Sequence, residues 1–204
     1  MAKSQAKELP VRVSPLLPID ADAIIDYANL RLQERKALTA IQVLAFTNQY
    51  EAAAAAISKT LGIDCPTSPG ICNANEHTQI AWNGPNSWMI IASDEEAKRK
   101  PGELLKSLQK AVGDTGAVVD QSHGRCALRL SGIHARKVMA KNTSIDLHPL
   151  AFATGQCALT SVAHMSALVI QVDDTPGYDL FVARSQARSF AHAIEHACHE
   201  FADD

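Results

Sequence analysis

The apolar pattern of this chain is written twice. Residues 39–46 alternate as a β-strand does, 48–61 form an alanine-rich helical stretch, and 79–82 and 88–92 are two short β-type runs around Asn83-Gly84-Pro85-Asn86. A second helical stretch over 94–112 follows, and the run 117–119 closes a βαββαβ unit. The order then restarts, with a strand at 126–130, a helix at 133–141, strands at 156–162, 167–172 and 178–182, and a closing helix at 185–201. The first helix of each half ends in similar words, Ser58-Lys-Thr-Leu-Gly-Ile63-Asp64 and Lys141-Asn-Thr-Ser-Ile145-Asp146. Amphipathic helices and one-faced strands must bury their apolar sides on each other. The pattern therefore predicts an α+β fold of two consecutive ferredoxin-like βαββαβ halves, about 37–121 and 125–202, with helices packed on mostly antiparallel sheet. Identity between the halves is slight, so simple recurrence of strand and helix is the competing reading.

The flanks are less regular. A Lys-containing start and Pro10, Pro15 and Pro18 predict an extended arm over residues 1–19, leaving 20–204 as a single compact domain. Ile24, Ile25, Ala28 and Leu32 fit either a short helix capped by Asp20 or an irregular lead into a strand. Lys98-Arg-Lys-Pro-Gly102 interrupts the second helical stretch. Pro101 disfavours helix at Lys100, so the helix is expected to begin at Pro101, with 94–100 a separate turn.

Composition excludes several classes of function. With 204 residues, 47% of them hydrophobic and 20% charged, the chain can bury about 70% of its unfolded surface without staples. Five cysteines, Cys65, Cys72, Cys126, Cys157 and Cys198, are an odd number and sit mostly in apolar segments. Together with the lack of a signal-peptide pattern they predict a reducing cytoplasm, where the Asn142-Thr-Ser acceptor would never meet glycosylation machinery. The apolar runs stop far short of the ~20 residues that span a bilayer, so no membrane partner is expected. A net charge of −3 argues against nucleic acid.

Constellations that carry chemistry are few. His192, His196 and His199 lie at i, i+4 and i+7 of the closing helix, beside Glu195 and Glu200, where two imidazoles one turn apart can bind zinc. The plainer reading is a polar stripe opposite Phe190, Ala193, Ile194, Ala197 and Phe201. Asp120, Ser122 and His123 suggest a nucleophile and its base, but adjacent strand residues face opposite sides. Asp120 and Ser122, two apart, are better suited to tying down the following loop through backbone N–H groups. Trp82 and Trp88, on one face if register is kept, make either an aromatic shelf for a flavin or pterin or part of a core or interface. Neither GxGxxG nor GxxxxGK[ST] occurs.

Several motifs in order carry a resemblance. Asp120-x-Ser122-x-Gly124, Leu128-x-x-Ser131-Gly132 and Ile145-Asp-Leu-His-Pro149 occupy the block from Gly116 to Pro149. Upstream stand Leu32-Gln-Glu34-Arg35, Leu61-Gly62 with Cys65-Pro66, and Ile80-Ala-Trp82-Asn-Gly84-Pro85-Asn-Ser-Trp88-Met-Ile90; downstream come Phe152, Gly155-Gln156 and Ala183-Arg184-Ser185. This order, over roughly residues 30–200, resembles the gamma subunits of heterotetrameric sarcosine oxidases and, more distantly, the first domain of the folate-binding aminomethyltransferases of the glycine-cleavage T-protein group. The resemblance implies an oxidoreductase complex of sarcosine catabolism that demethylates sarcosine to glycine, with H2O2 and formaldehyde or methylene-tetrahydrofolate as further products. It implies FAD, FMN, NAD and tetrahydrofolate in partner alpha, beta and delta subunits, and an assembly role for this chain with no catalytic, cofactor-binding or metal residues of its own. The T-protein group carries a glycine-rich hairpin ending in an Asp pair; the corresponding connection here is Ala163-His164-Met165-Ser166-Ala167, without a carboxylate. Asp173-Asp174 looks like an ordinary turn, and a free-standing folate- or pterin-binding protein is the alternative.

Overall fold

The two patterns become two antiparallel sheets stacked face to face, each backed by helices, in a computed structural model that describes residues 13–16, 23–93, 100 and 102–204. The first sheet has the order β4 (Cys72–Ala74), β5 (Thr78–Trp82), β6 (Ser87–Ser93), β3 (Leu38–Ala45), β7 (Gly116–Asp120). The second has the order β9 (Cys157–Val162), β10 (Met165–Asp173), β11 (Gly177–Ala183), β8 (Arg125–Ser131), β2 (Leu30–Glu34), β1 (Ile25–Tyr27). Helices α1 (Tyr50–Leu61) and α2 (Glu103–Val112) cover the outer face of the first sheet, and α3 (Ala135–Asn142) and α4 (Ala187–Cys198) that of the second.

Three apolar layers result. Ile41, Val43, Ile80, Trp88 and Ile90 meet Ala53, Ile57, Leu104 and Leu108 of the helices on one side. Leu128, Leu130, Val169, Tyr178 and Leu180 meet Val138, Met139, Phe190 and Ile194 on the other. Between the sheets lie Leu38, Ala40, Met89, Ile91, Ala127, Leu168, Ile170 and Phe181. Strands β6 and β11 are covered on both faces, which is why they read as nearly unbroken apolar runs rather than alternations.

The halves are interlocked rather than simply consecutive. Read from the outer edge, β4-β5-β6-β3-β7 of one sheet corresponds to β9-β10-β11-β8-β2 of the other. The strand beside β3 is β7, which directly precedes the second half in the chain, and the strand beside β8 is β2, which directly precedes the first. Each half thus completes its sheet with the strand that leads into the other half. The second half has no closing strand of its own after α4, so the βαββαβ pattern is completed there by Leu30–Glu34.

Two glycines make these dockings possible. At Gly132, φ is 114°, and a Cβ would stand 2.2 Å from the Asn29 carbonyl oxygen in the β1–β2 turn. At Gly116, the first residue of β7, a Cβ would stand 2.5 Å from the Leu44 carbonyl oxygen of β3. The Ser131-Gly132 pair is therefore where the borrowed β2 hairpin seats.

Residues 25–34 are a strand pair and not a helix, because Leu32 is opposite Leu130 in the second sheet and Ile25 opposite Leu32. The short β4 lies outside the expected elements. Helix α2 begins at Glu103, and its expected lead-in at 94–99, like most of the expected arm at 1–12 and 17–19, lies outside the described residues. Replacing Gly132 with alanine forces both a left-handed backbone and a backbone clash on a β-carbon. It is expected to lower stability by about 2 kcal/mol or more, read from the urea midpoint, whereas Gly62→Ala, a left-handed cap with open space around it, is expected to cost about 1 kcal/mol.

Candidate functional site

The chain changes sheets twice, and the two passages run side by side. Residues 35–37 carry it from β2 into β3, and residues 121–124 carry it from β7 into β8. Backbone bonds tie them together, Gln121 N–H to the Ala40 carbonyl at 2.8 Å and Arg35 N–H to the Ala127 carbonyl at 2.8 Å. The Asp120-x-Ser122-x-Gly124 motif is the fastening. The Asp120 carboxylate accepts the Ser122 N–H at 2.8 Å, and the Ser122 hydroxyl accepts the Ala40 N–H at 3.0 Å and donates to the Ala40 carbonyl at 3.4 Å. Gly124 accepts the Arg184 N–H at 2.9 Å, fixing the start of the closing helical segment to the same point. Ser122 is buried and fully engaged, and His123 next to it is exposed, so the pair is not a nucleophile and base.

Directly beneath lies a carboxylate with no solvent access. Asp179 of β11 stands opposite Arg129 of β8, and Arg129 grips it through Nε to Oδ1 at 2.7 Å and Nη2 to Oδ2 at 2.9 Å. Arg35, from the first passage, donates Nη1 to Oδ2 at 2.5 Å. A buried carboxylate is tolerable only with such charge-assisted partners.

Around the two passages is a cavity of about 250 Å3. Arg35, Lys36, Arg125 and Arg184 contribute cationic walls, and Leu38, Ala127 and Phe181 an apolar floor. Glu34 is also on the wall, and its carboxylate accepts the Ser14 hydroxyl at 2.5 Å. Glu34-Arg35, Ser122-x-Gly124 and Arg184, which are far apart in sequence, are brought together here.

The other sequence candidates do not converge. Among the described residues no three His, Cys, Asp or Glu side chains group to hold a metal; His192 faces Glu195 at 3.8 Å, and the His196 and His199 rings lie tilted with centroids 6.1 Å apart. Trp82 and Trp88 are register partners but form no shelf. Trp88 is buried, stacks on Tyr50 at 4.9 Å and donates its indole N–H to the Pro66 carbonyl at 2.8 Å, while Trp82 packs against the inter-sheet layer. Ala163 and His164 are the two turn residues of a tight hairpin, with Val162 opposite Met165, so that connection has no room for a longer motif. Asp173 and Asp174 cap a turn, accepting Thr175 and Thr154.

All five cysteines are free and buried. Burial pushes the thiols of Cys65, Cys126 and Cys198 up to about 12 and that of Cys157 to about 11. Cys72 is raised further, by burial first and then by Cys157 and Asp179.

Sequence reasoning passed over Asp179, Arg129 and Arg125. The available signal was a lone charge inside each of the apolar runs 178–182 and 126–130; two such charges of opposite sign in apolar strands must find each other.

The model of the sarcosine oxidase gamma subunit family matches residues 47–200. The gamma subunit of sarcosine oxidase from Arthrobacter sp. is 34% identical over 62% of this chain and 60% of that protein, so the aligned part spans under two thirds of that relative. The gamma subunit from Corynebacterium sp. (strain P-1) is 32% identical over 74% of this chain and 71% of that one. Among solved structures, a chain of the heterotetrameric sarcosine oxidase from Corynebacterium sp. U-96 superimposes with a TM-score of 0.80 at 25% identity, covering 95% of this chain and 97% of that chain. The glycine cleavage system aminomethyltransferase T from Bartonella henselae shares the fold, with a TM-score of 0.56 at 15% identity over 82% of this chain and 46% of that one.

Asp179→Asn leaves two arginines short of a counter-charge and is expected to destabilise by about 3–5 kcal/mol in urea titrations; Ser122→Ala, which orphans the Ala40 N–H, by about 1–3 kcal/mol. The buried thiols predict a pH dependence. Their folded values lie above the ordinary ~8.5, so their stabilising contribution is complete below that pH and declines as pH rises toward 11–12. The denaturation midpoint should therefore fall through this alkaline window, less steeply in Cys126→Ala. A thiol reagent at pH 8 should label no cysteine in the native chain and all five in denaturant.

Proposed function

The chain belongs to the sarcosine oxidase gamma subunit family, and from that membership we propose that it is the assembly subunit of a heterotetrameric sarcosine oxidase. The complex oxidises the N-methyl group of sarcosine: sarcosine, O2 and water give glycine, formaldehyde and H2O2, or the one-carbon unit passes to tetrahydrofolate. In this reading FAD, FMN, NAD and tetrahydrofolate reside in the partner alpha, beta and delta subunits. The complex serves sarcosine catabolism in the cytoplasm. This chain supplies no reacting group and covers surface of its partners. No helix among the described residues is long and apolar enough to cross a membrane.

The observation that carries the proposal is the likeness of this chain, over 95% of its length, to one chain of a heterotetrameric oxidase. Two features of the molecule support it. The most suggestive polar residues, Ser122 and Asp179, are consumed in fastening the fold. Leu44, Phe46 and Val119 are exposed along the β3–β7 pair, where a subunit partner would find apolar surface. Free-standing folate chemistry finds less support, since the β9–β10 turn has two residues and no carboxylate.

Expressed alone, the chain is expected to show no sarcosine-dependent O2 uptake and no flavin absorbance, and to co-purify with larger flavin-bearing subunits when these are present. Turnover by the isolated chain would overturn the assembly reading. Phe46→Glu is expected to release the chain from the complex, measured by size-exclusion chromatography, while changing its own stability by no more than about 0.5 kcal/mol.

A further inference from the structure

We propose that the cavity at the sheet crossover is a binding site for a small organic carboxylate, an anion carried on an apolar body, held by Arg125 and Arg184. The four arginines near this point divide into two pairs. Arg35 and Arg129 share the Asp179 carboxylate. Arg125, the first residue of β8, and Arg184, which opens the 3-10 turn before α4, both line the cavity. Neither guanidinium has a carboxylate or a hydrogen-bond acceptor among the described residues. Both are held by backbone: residue 125 through its N–H to Gln121 and by pairing with Ala183, and residue 184 through its N–H to Gly124.

A half-buried guanidinium without a counter-charge is unfavourable, and burial indeed draws Arg125 below its ordinary value. The charge balance of the lining points to the sign of the missing partner. With Arg35 turned to Asp179, Lys36, Arg125 and Arg184 stand against Glu34 among the described lining residues, and Glu34 already accepts the Ser14 hydroxyl. The floor points to its body. Leu38, Ala127 and Phe181 line it with apolar surface, which an apolar body can contact and a bare inorganic anion cannot. Two planar guanidinium forks suit a carboxylate, and about 250 Å3 accommodates a ring-sized group attached to it. The site goes beyond an assembly role, because it gives the chain a ligand of its own without assigning it any step of oxidation.

The test is isothermal titration of the full-length chain, by itself, with benzoate, benzyl alcohol, benzylamine and inorganic phosphate. Benzoate is expected to bind one-to-one, at least tenfold more tightly than its neutral and cationic analogues or phosphate. Arg125→Gln and Arg184→Gln should each weaken benzoate at least tenfold, and Arg125→Lys should recover part of the loss. Thermal melts of each variant establish that it is folded. Arg184→Gln provides the readout if Arg125→Gln does not fold. No benzoate binding at millimolar concentration, equal binding of benzyl alcohol or phosphate, or wild-type affinity in folded Arg184→Gln would overturn the site. None of these outcomes depends on whether the chain joins an oxidase complex, which the co-purification experiment decides separately.

Discussion

Asp179 holds the two halves of this protein in register. Its carboxylate is sealed from water in the layer between the sheets, and its partners come from two different places: Arg129 from the neighbouring strand and Arg35 from the passage between the sheets. Both can reach it only when β11 stands opposite β8 as observed and β2 has already paired with β8 on the far side. A one-residue slip of β11 would turn Asp179 onto the helix-covered apolar face, away from Arg129 and Arg35, and would carry Tyr178 and Leu180 off that face. A buried ion cluster adds little net stability over an apolar one of equal shape. Its effect here is to penalise every wrong pairing of the second sheet.

The exchange of edge strands follows the same logic on a larger scale. A strand that leads into one half but pairs in the other links the two halves through the sheet itself. It brings the two passages between the sheets side by side. There the backbone must be fastened, which explains Asp120 and Ser122, while Gly116 and Gly132 admit the close approaches at the other ends of β7 and β8. Beside the passages lies the cavity lined by Arg125 and Arg184. Fold and candidate site therefore have a common origin, while the exposed apolar residues along β3 and β7 sit apart from it and fit the family's place in a multi-subunit oxidase.

Much of this was legible in the residues. The strands 39–46, 88–92, 126–130 and 178–182 and the helices of both halves follow from local periodicity, which depends only on which side of an element meets the core. Asp120 and Ser122 were recognisable as a loop fastening because their spacing of two suits backbone capture. The β2 strand was not, since the register partner of Leu32, Leu130, is about a hundred positions away and the alternation Leu30-Arg31-Leu32-Gln33 is too short to say which sheet it joins. Trp82 and Trp88 show the converse. Their spacing put them on one face if register is kept, and the register does pair them, yet the side chain of Trp88 enters the helix-backed core while Trp82 packs against the inter-sheet layer.

By itself the sequence determined the element types, their order, the helix-backed antiparallel class and the family, because all of these rest on short-range pattern and on the order of motifs along the chain. Only the tertiary structure decided that β2 completes the sheet of the second half, that Asp179 rather than Ser122 is the electrostatic centre, and that Arg125 and Arg184 line one cavity. Those outcomes depend on which distant surfaces meet, and nothing in the local preference of a residue records its neighbour across two sheets.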